Sequence, residues 1–118
     1  MEELKIEIQT YGFVKEASYA HYFYSILQNY KNDFIGAEKL IVNIEEEVGG
    51  VVNIPSKYKP INISEDRKIV MIKVKAHKFI SNKNKIIYDT PNEVFEKLRN
   101  TLERAKVEYK ESENQNEI

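Results

Sequence analysis

A chain of 118 residues with 42% hydrophobic content is one domain's worth of sequence, and no apolar run approaches the ~20 residues that span a bilayer. The absence of cysteine excludes disulfides, thiol nucleophiles and thiolate metal sites together. The net charge of −1 conceals a division: residues 1–56 carry −5, residues 57–85 carry +7 and residues 86–118 carry −3.

Residues 1–11 begin with acids and alternate apolar with polar, so they do not read as a signal peptide, and a cytoplasmic location is expected. Leu4, Ile6 and Ile8 alternate with Lys5, Glu7 and Gln9, the period of a strand with one buried face. From Lys15 to Tyr30 the spacing turns helical, with Tyr19, Phe23, Ile26, Leu27 and Tyr30 on one stripe. Leu40, Val42 and Ile44 alternate again. Gly49-Gly50 reads as a hairpin turn, and Val51–Ile54 as a short returning strand. Pro55 and Pro60 bracket a loop holding Lys57, Tyr58 and Lys59, since proline cannot donate to a ladder.

The strongest strand is Lys68 to Ile80. Val70, Ile72, Val74 and Ala76 face inward there, and Lys73, Lys75, His77, Met71 and Phe79 face outward. Ser81–Asn84 reads as a turn and Lys85–Asp89 as a closing strand. Thr90-Pro91-Asn92-Glu93 is a capping box with proline at the first helical position. The helix it starts runs to about Glu108, with Val94, Phe95, Leu98, Leu102 and Ala105 inward and Glu93 and Lys97 paired outside.

The expected architecture is therefore a single α+β domain over residues 1–109, in β-α-β-β-β-β-α order. It is a two-layer sandwich: an antiparallel sheet of three to five strands with both helices on one face. Residues 110–118 read as a disordered polar tail. The other sheet face carries Lys5, Glu7, Gln9, Lys73, Lys75 and His77.

Catalytic, cofactor and metal signatures are not visible. His21 and His77 have no partner at metal-ligand spacing, and no phosphate-binding loop, zinc-protease or hydrolase-elbow motif occurs. Glu45-Glu46-Glu47 cannot converge in a strand, because successive side chains point to opposite faces. Recognition is what remains. Tyr22 and Tyr24 flank the core stripe of the first helix and are candidate contacts for a protein partner, in a homodimer or a heterodimer. Lys57, Lys59, Lys73, Lys75, Lys83 and Lys85 are the candidate nucleic-acid contacts, by neutralising phosphates without reading sequence. The same lysines could equally solubilise an open sheet.

The order of elements resembles the small dimerising subunit of the KEOPS complex, which takes part in making threonylcarbamoyladenosine on transfer RNA. Arg99, Thr101 and Leu102 in the final helix are similar to that family's arginine, small hydroxyl and aliphatic residues. Glu103 stands where the family carries asparagine, and the stretch from Glu46 to Asp66 is longer than usual. The resemblance implies a non-catalytic subunit that dimerises within an assembly, with Arg99 beside Tyr22 and Tyr24 among the contacts. The alternatives are a small nucleic-acid-binding module using residues 57–85, or an effector that occupies another protein's surface.

Overall fold

The computed structural model describes residues 3–49 and 59–115. Five strands and two helices follow one another as β1 (Lys5–Thr10), α1 (Ala17–Tyr30), β2 (Lys39–Gly49), β3 (Ile61–Ile63), β4 (Ile69–Ile80), β5 (Ile86–Tyr88) and α2 (Pro91–Gln115). Short 3-10 turns at Gly12–Lys15 and Lys31–Phe34 lead into and out of α1. The returning strand expected at Val51–Ile54, with Gly50, Pro55, Lys57 and Tyr58, lies outside the described residues.

The α+β class holds, with a five-stranded open sheet ordered β1-β2-β4-β3, in which β3 pairs with the start of β4 and β5 with its end. The pairing is mixed, which corrects the antiparallel sheet expected from sequence. β1 pairs with β2 in parallel and β2 with β4 in parallel, whereas β3 and β5 pair with β4 antiparallel. Topology gives the reason. A strand that returns through a helix, as β1 does through α1, re-enters in the same direction, and the long connection between Gly49 and Ile69 allows the same return.

Alternation places the core. Leu40, Val42 and Ile44 of β2 stand in register with Val70, Ile72 and Val74 of β4, and all six are buried under the helices. α1 lies over β1, α2 lies over β3 and β4, and the two helices touch. Tyr19, Phe23, Ile26 and Leu27 of α1 meet Val94, Phe95, Leu98, Leu102 and Ala105 of α2 in one cluster. Phe23 packs edge-on to Phe95 at 5.6 Å between ring centroids. A hydrogen bond from Tyr30 Oη to Glu103 Oε1 (2.8 Å) ties the helices at their exposed margin, and burial with that bond pushes the Tyr30 hydroxyl up to about 12.

The capping box at the start of α2 forms as the sequence predicts. The Glu93 N–H donates to Thr90 Oγ1 at 3.2 Å, and the Thr90 N–H donates back to Glu93 Oε1 at 3.2 Å. The far end differs: α2 continues past Glu108 to Gln115, so residues 110–115 are helix rather than tail, and residues 116–118 lie outside the described residues. Tyr109 explains the extension. Its ring is buried against Phe34, and its hydroxyl donates toward the Ile35 and Arg67 carbonyls at 3.1 and 3.2 Å. Arg67 returns the contact, donating from Nε to Ser112 Oγ and from Nη2 to the Tyr109 carbonyl, each at 2.9 Å. The last turns are held to the sheet by that latch. Among the described residues no helix is long and apolar enough to cross a membrane.

Candidate contact surface

β4 is longer than the helix layer that covers it, and its last residues run out beside β5 as a two-stranded arm. Phe79 stands opposite Ile87 and Ile80 opposite Ile86. Alternation sends Phe79 and Ile87 to the open face of the sheet, and Ile80, Ile86 and Tyr88 to the helix side beyond the helices' reach. All five side chains are exposed, Phe79 by 49% and Ile87 by 58%, and Val48 of the neighbouring β2 end adds another. Scattered exposed apolar residues need no explanation, but a contiguous two-sided set does.

The tip is a tight turn. The Ser81 N–H donates to the Lys85 carbonyl and the Asn84 N–H to the Ser81 carbonyl, both at 2.9 Å, while Asn84 takes a left-handed φ of 58°. Asparagine tolerates that conformation better than most residues. The turn presents Lys83 and Lys85 to solvent, and among the described residues neither makes an ion pair.

The base of the arm is firmly held. Asp89 Oδ2 accepts from the Lys97 ammonium of α2 at 2.5 Å and from the His77 N–H at 2.8 Å. The same ammonium lies 2.9 Å from His77 Nδ1, and since an ammonium can only donate, Nδ1 accepts. His77 Nε2 then points its proton toward Glu47 Oε2, 3.3 Å away. Lys97 therefore faces the sheet edge instead of pairing with Glu93, the outcome expected from helix spacing alone. His77 thus sits among the carboxylates of Glu47 and Asp89 and the ammonium of Lys97. On the other side of the arm Phe13 packs on Tyr88 at 4.8 Å, and its N–H donates to Glu46 Oε2 at 2.8 Å.

Three lysines of the positive middle segment pair with glutamates across the sheet. Lys75 meets Glu47 at 3.5 Å, Lys78 meets Glu46 at 3.7 Å, and Lys68 meets Glu38 at 3.6 Å. The glutamate run divides as expected: Glu45 and Glu47 take one face and Glu46 the other. Lys73 and Lys75 lie on the open face, each with partners of its own. Lys59 borders a groove of about 840 Å³ beside β3, where Glu65, Glu108 and Glu111 also stand. Lys57 is outside the described residues. The five described lysines, Lys59, Lys73, Lys75, Lys83 and Lys85, are thus spread over the groove, the open face and the arm tip rather than collected in one basic track.

Tyr22 and Arg99 do come together. With Ser18, Tyr19, Asn92 and Phe95 they line a cleft of about 350 Å³ between the helices, and Tyr22 packs on Phe95 at 5.1 Å. Tyr24 is half exposed and does not line that cleft. Thr101 Oγ1 donates to the Lys97 carbonyl at 2.8 Å, and Leu98 and Leu102 are fully buried, so Thr101 and Leu102 have packing roles in the helix while Arg99 stays exposed at the cleft.

Sequence reasoning passed over Ile86, Ile87 and Tyr88 as a contact candidate. Their signal was present: three consecutive apolar residues in a terminal strand cannot all be buried by a one-sided sheet. Among the described residues no group of three or more His, Asp or Glu side chains could hold a metal ion. Comparison of the chain with protein-family models, curated proteins and solved structures finds no match.

Proposed function

We propose that this protein is a non-catalytic accessory subunit that joins a larger assembly, with the β4–β5 arm as its contact. The observation that carries the reading is the arm itself, where Phe79, Ile80, Ile86, Ile87 and Tyr88 are exposed together on a rigidly anchored hairpin. Interface cores are built from apolar and aromatic side chains of this kind, and a firm base lowers the ordering cost of binding. Both clefts are open and lined by aromatic or mixed-charge residues, a composition suited to recognition. The transfer-RNA-modifying complex implied by the KEOPS resemblance is one assembly of this type.

A second reading, contact with nucleic acid, is favoured by one observation: Lys83 and Lys85 project from the tip without an ion-pair partner among the described residues. Phosphate contacts made by such lysines would weaken steeply between about 50 and 200 mM salt.

Sedimentation of native extract through a density gradient tests both. Accessory function predicts that the protein travels in a large particle and that Phe79→Ser with Ile87→Ser returns it to the light fractions. Release by ribonuclease, or by Lys83→Glu with Lys85→Glu, would place nucleic acid in the contact. Migration at the size of the free protein in every extract would refute the proposal.

A further inference from the structure

We infer that two copies of this chain join edge to edge through β5, pairing antiparallel about Ile87 so that their sheets become one. This rests on the reading of the arm as a contact surface and names its protein partner as a second copy.

The inner side of β5 is committed to β4. The Asp89 N–H donates to the His77 carbonyl and the Ser81 N–H to the Lys85 carbonyl, both at 2.9 Å. By alternation Lys85, Ile87 and Asp89 turn their backbone groups toward β4, and Ile86 and Tyr88 turn theirs outward. Edge strands are ordinarily protected by charge, proline, a bulge or a covering element. Ile86, Ile87 and Tyr88 carry no charge and no proline, pair with β4 in unbroken register, and are all exposed.

The outward groups are self-complementary. A two-fold axis at Ile87 sets Ile86 opposite Tyr88 of the second copy, and each such pair exchanges two backbone hydrogen bonds. Side chains agree with the register. On the open face Phe79 and Ile87 of both copies form one apolar row across four strands. Charge selects the direction. Antiparallel pairing runs the Lys83 and Lys85 tip of one copy alongside residues 89–91 of the other, toward the acidic start of α2 at Glu93 and Glu96. Parallel pairing would set the two lysine tips side by side, which like-charge repulsion opposes.

Residues facing each other across the axis form a non-hydrogen-bonded pair, with Cα atoms about 4.5 Å apart, within the range a disulfide spans. The chain has no native cysteine, so Ile87→Cys reports on that pair alone. Full-length protein would be followed by light scattering over a concentration series, together with oxidation of Ile87→Cys and of Ile35→Cys, a still more exposed control away from the arm. The inference predicts a wild-type mass of two chains, rapid covalent dimer from Ile87→Cys, and little from Ile35→Cys. Ile86→Pro removes one outward N–H without touching the bonds to β4, and should return the mass to one chain with the fold intact by circular dichroism. A wild-type mass of one chain at every concentration would overturn it, as would a dimer that Ile86→Pro leaves unchanged and Ile87→Cys does not trap. A lone chain that still enters a large particle in extract would sink this inference and leave the accessory-subunit reading standing.

Discussion

Lys97 reaches from α2 to the carboxylate of Asp89 at the sheet edge, Nζ to Oδ2 2.5 Å, and so fastens the helix layer to the base of the arm. The Asp89 side chain is only 13% exposed, and the same oxygen also accepts the His77 N–H. Burial alone would raise the Asp89 pKa, but the bonds from Lys97 and the His77 N–H outweigh it and hold the carboxyl below its ordinary 3.8. A folded value below the unfolded one makes the contribution complete above 3.8 and lost as pH falls through the folded value. Asp89→Asn should cost about 1–3 kcal/mol near neutral pH, because it leaves the Lys97 charge poorly matched. Urea titrations of both proteins across the acid range check this: the gap should close once pH is below both values.

Gly12 meets the same region from the opposite side. Its φ is +79°, and a Cβ there would lie 2.4 Å from Cβ of Glu46, whose carboxylate is fixed by the Phe13 N–H. Left-handed backbone and a contact that no flexible end can relieve combine in one substitution. Gly12→Ala should lower stability by roughly 2–4 kcal/mol, read as a shifted denaturation midpoint.

The latch at the far end of α2 has a separable part. Tyr109→Phe keeps the ring against Phe34 and under the Arg67 guanidinium, whose carbon is 4.1 Å from the ring centroid. It removes the hydroxyl that serves the Ile35 and Arg67 carbonyls. A loss of about 1–2 kcal/mol follows, with faster amide exchange in the last turns of α2 than in its first half.

Much of this fold was legible from local pattern. Alternation located Leu40, Val42, Ile44, Val70, Ile72 and Val74 correctly, because a one-sided sheet forces period two on each strand. The Thr90–Glu93 cap was legible because both partners lie within four residues. Strand direction was not, because hydrophobic alternation looks the same in parallel and antiparallel pairs. The end of α2 was hidden as well, since Arg67 and Ser112 are distant in sequence and nothing local signals their bond. Part of the positive charge read along the chain is paired across the sheet, as Lys75–Glu47 and Lys78–Glu46 show, while Lys83 and Lys85 remain at the arm tip. At the candidate surface, Tyr22 and Arg99 were brought to one cleft and Tyr24 was not.

Exposed arm residues should separate folding from association. Phe79 and Ile87 face each other across β4 and β5 with solvent above them. Cross-strand pairs of this kind contribute about 0.2–1 kcal/mol. Phe79→Ser with Ile87→Ser should therefore change the unfolding free energy by no more than about 1 kcal/mol, while association through the arm is lost. Equilibrium denaturation and light scattering on the same sample distinguish the two effects.

The central claim is that the arm is a contact surface, and site-specific photo-crosslinking in living cells tests it most directly. A photoreactive residue would replace Phe79 on the arm or, as control, Val107 on α2, which is comparably exposed. The account predicts discrete covalent adducts from position 79 and only background from position 107. Background from both positions, or the same adducts from both, would contradict it.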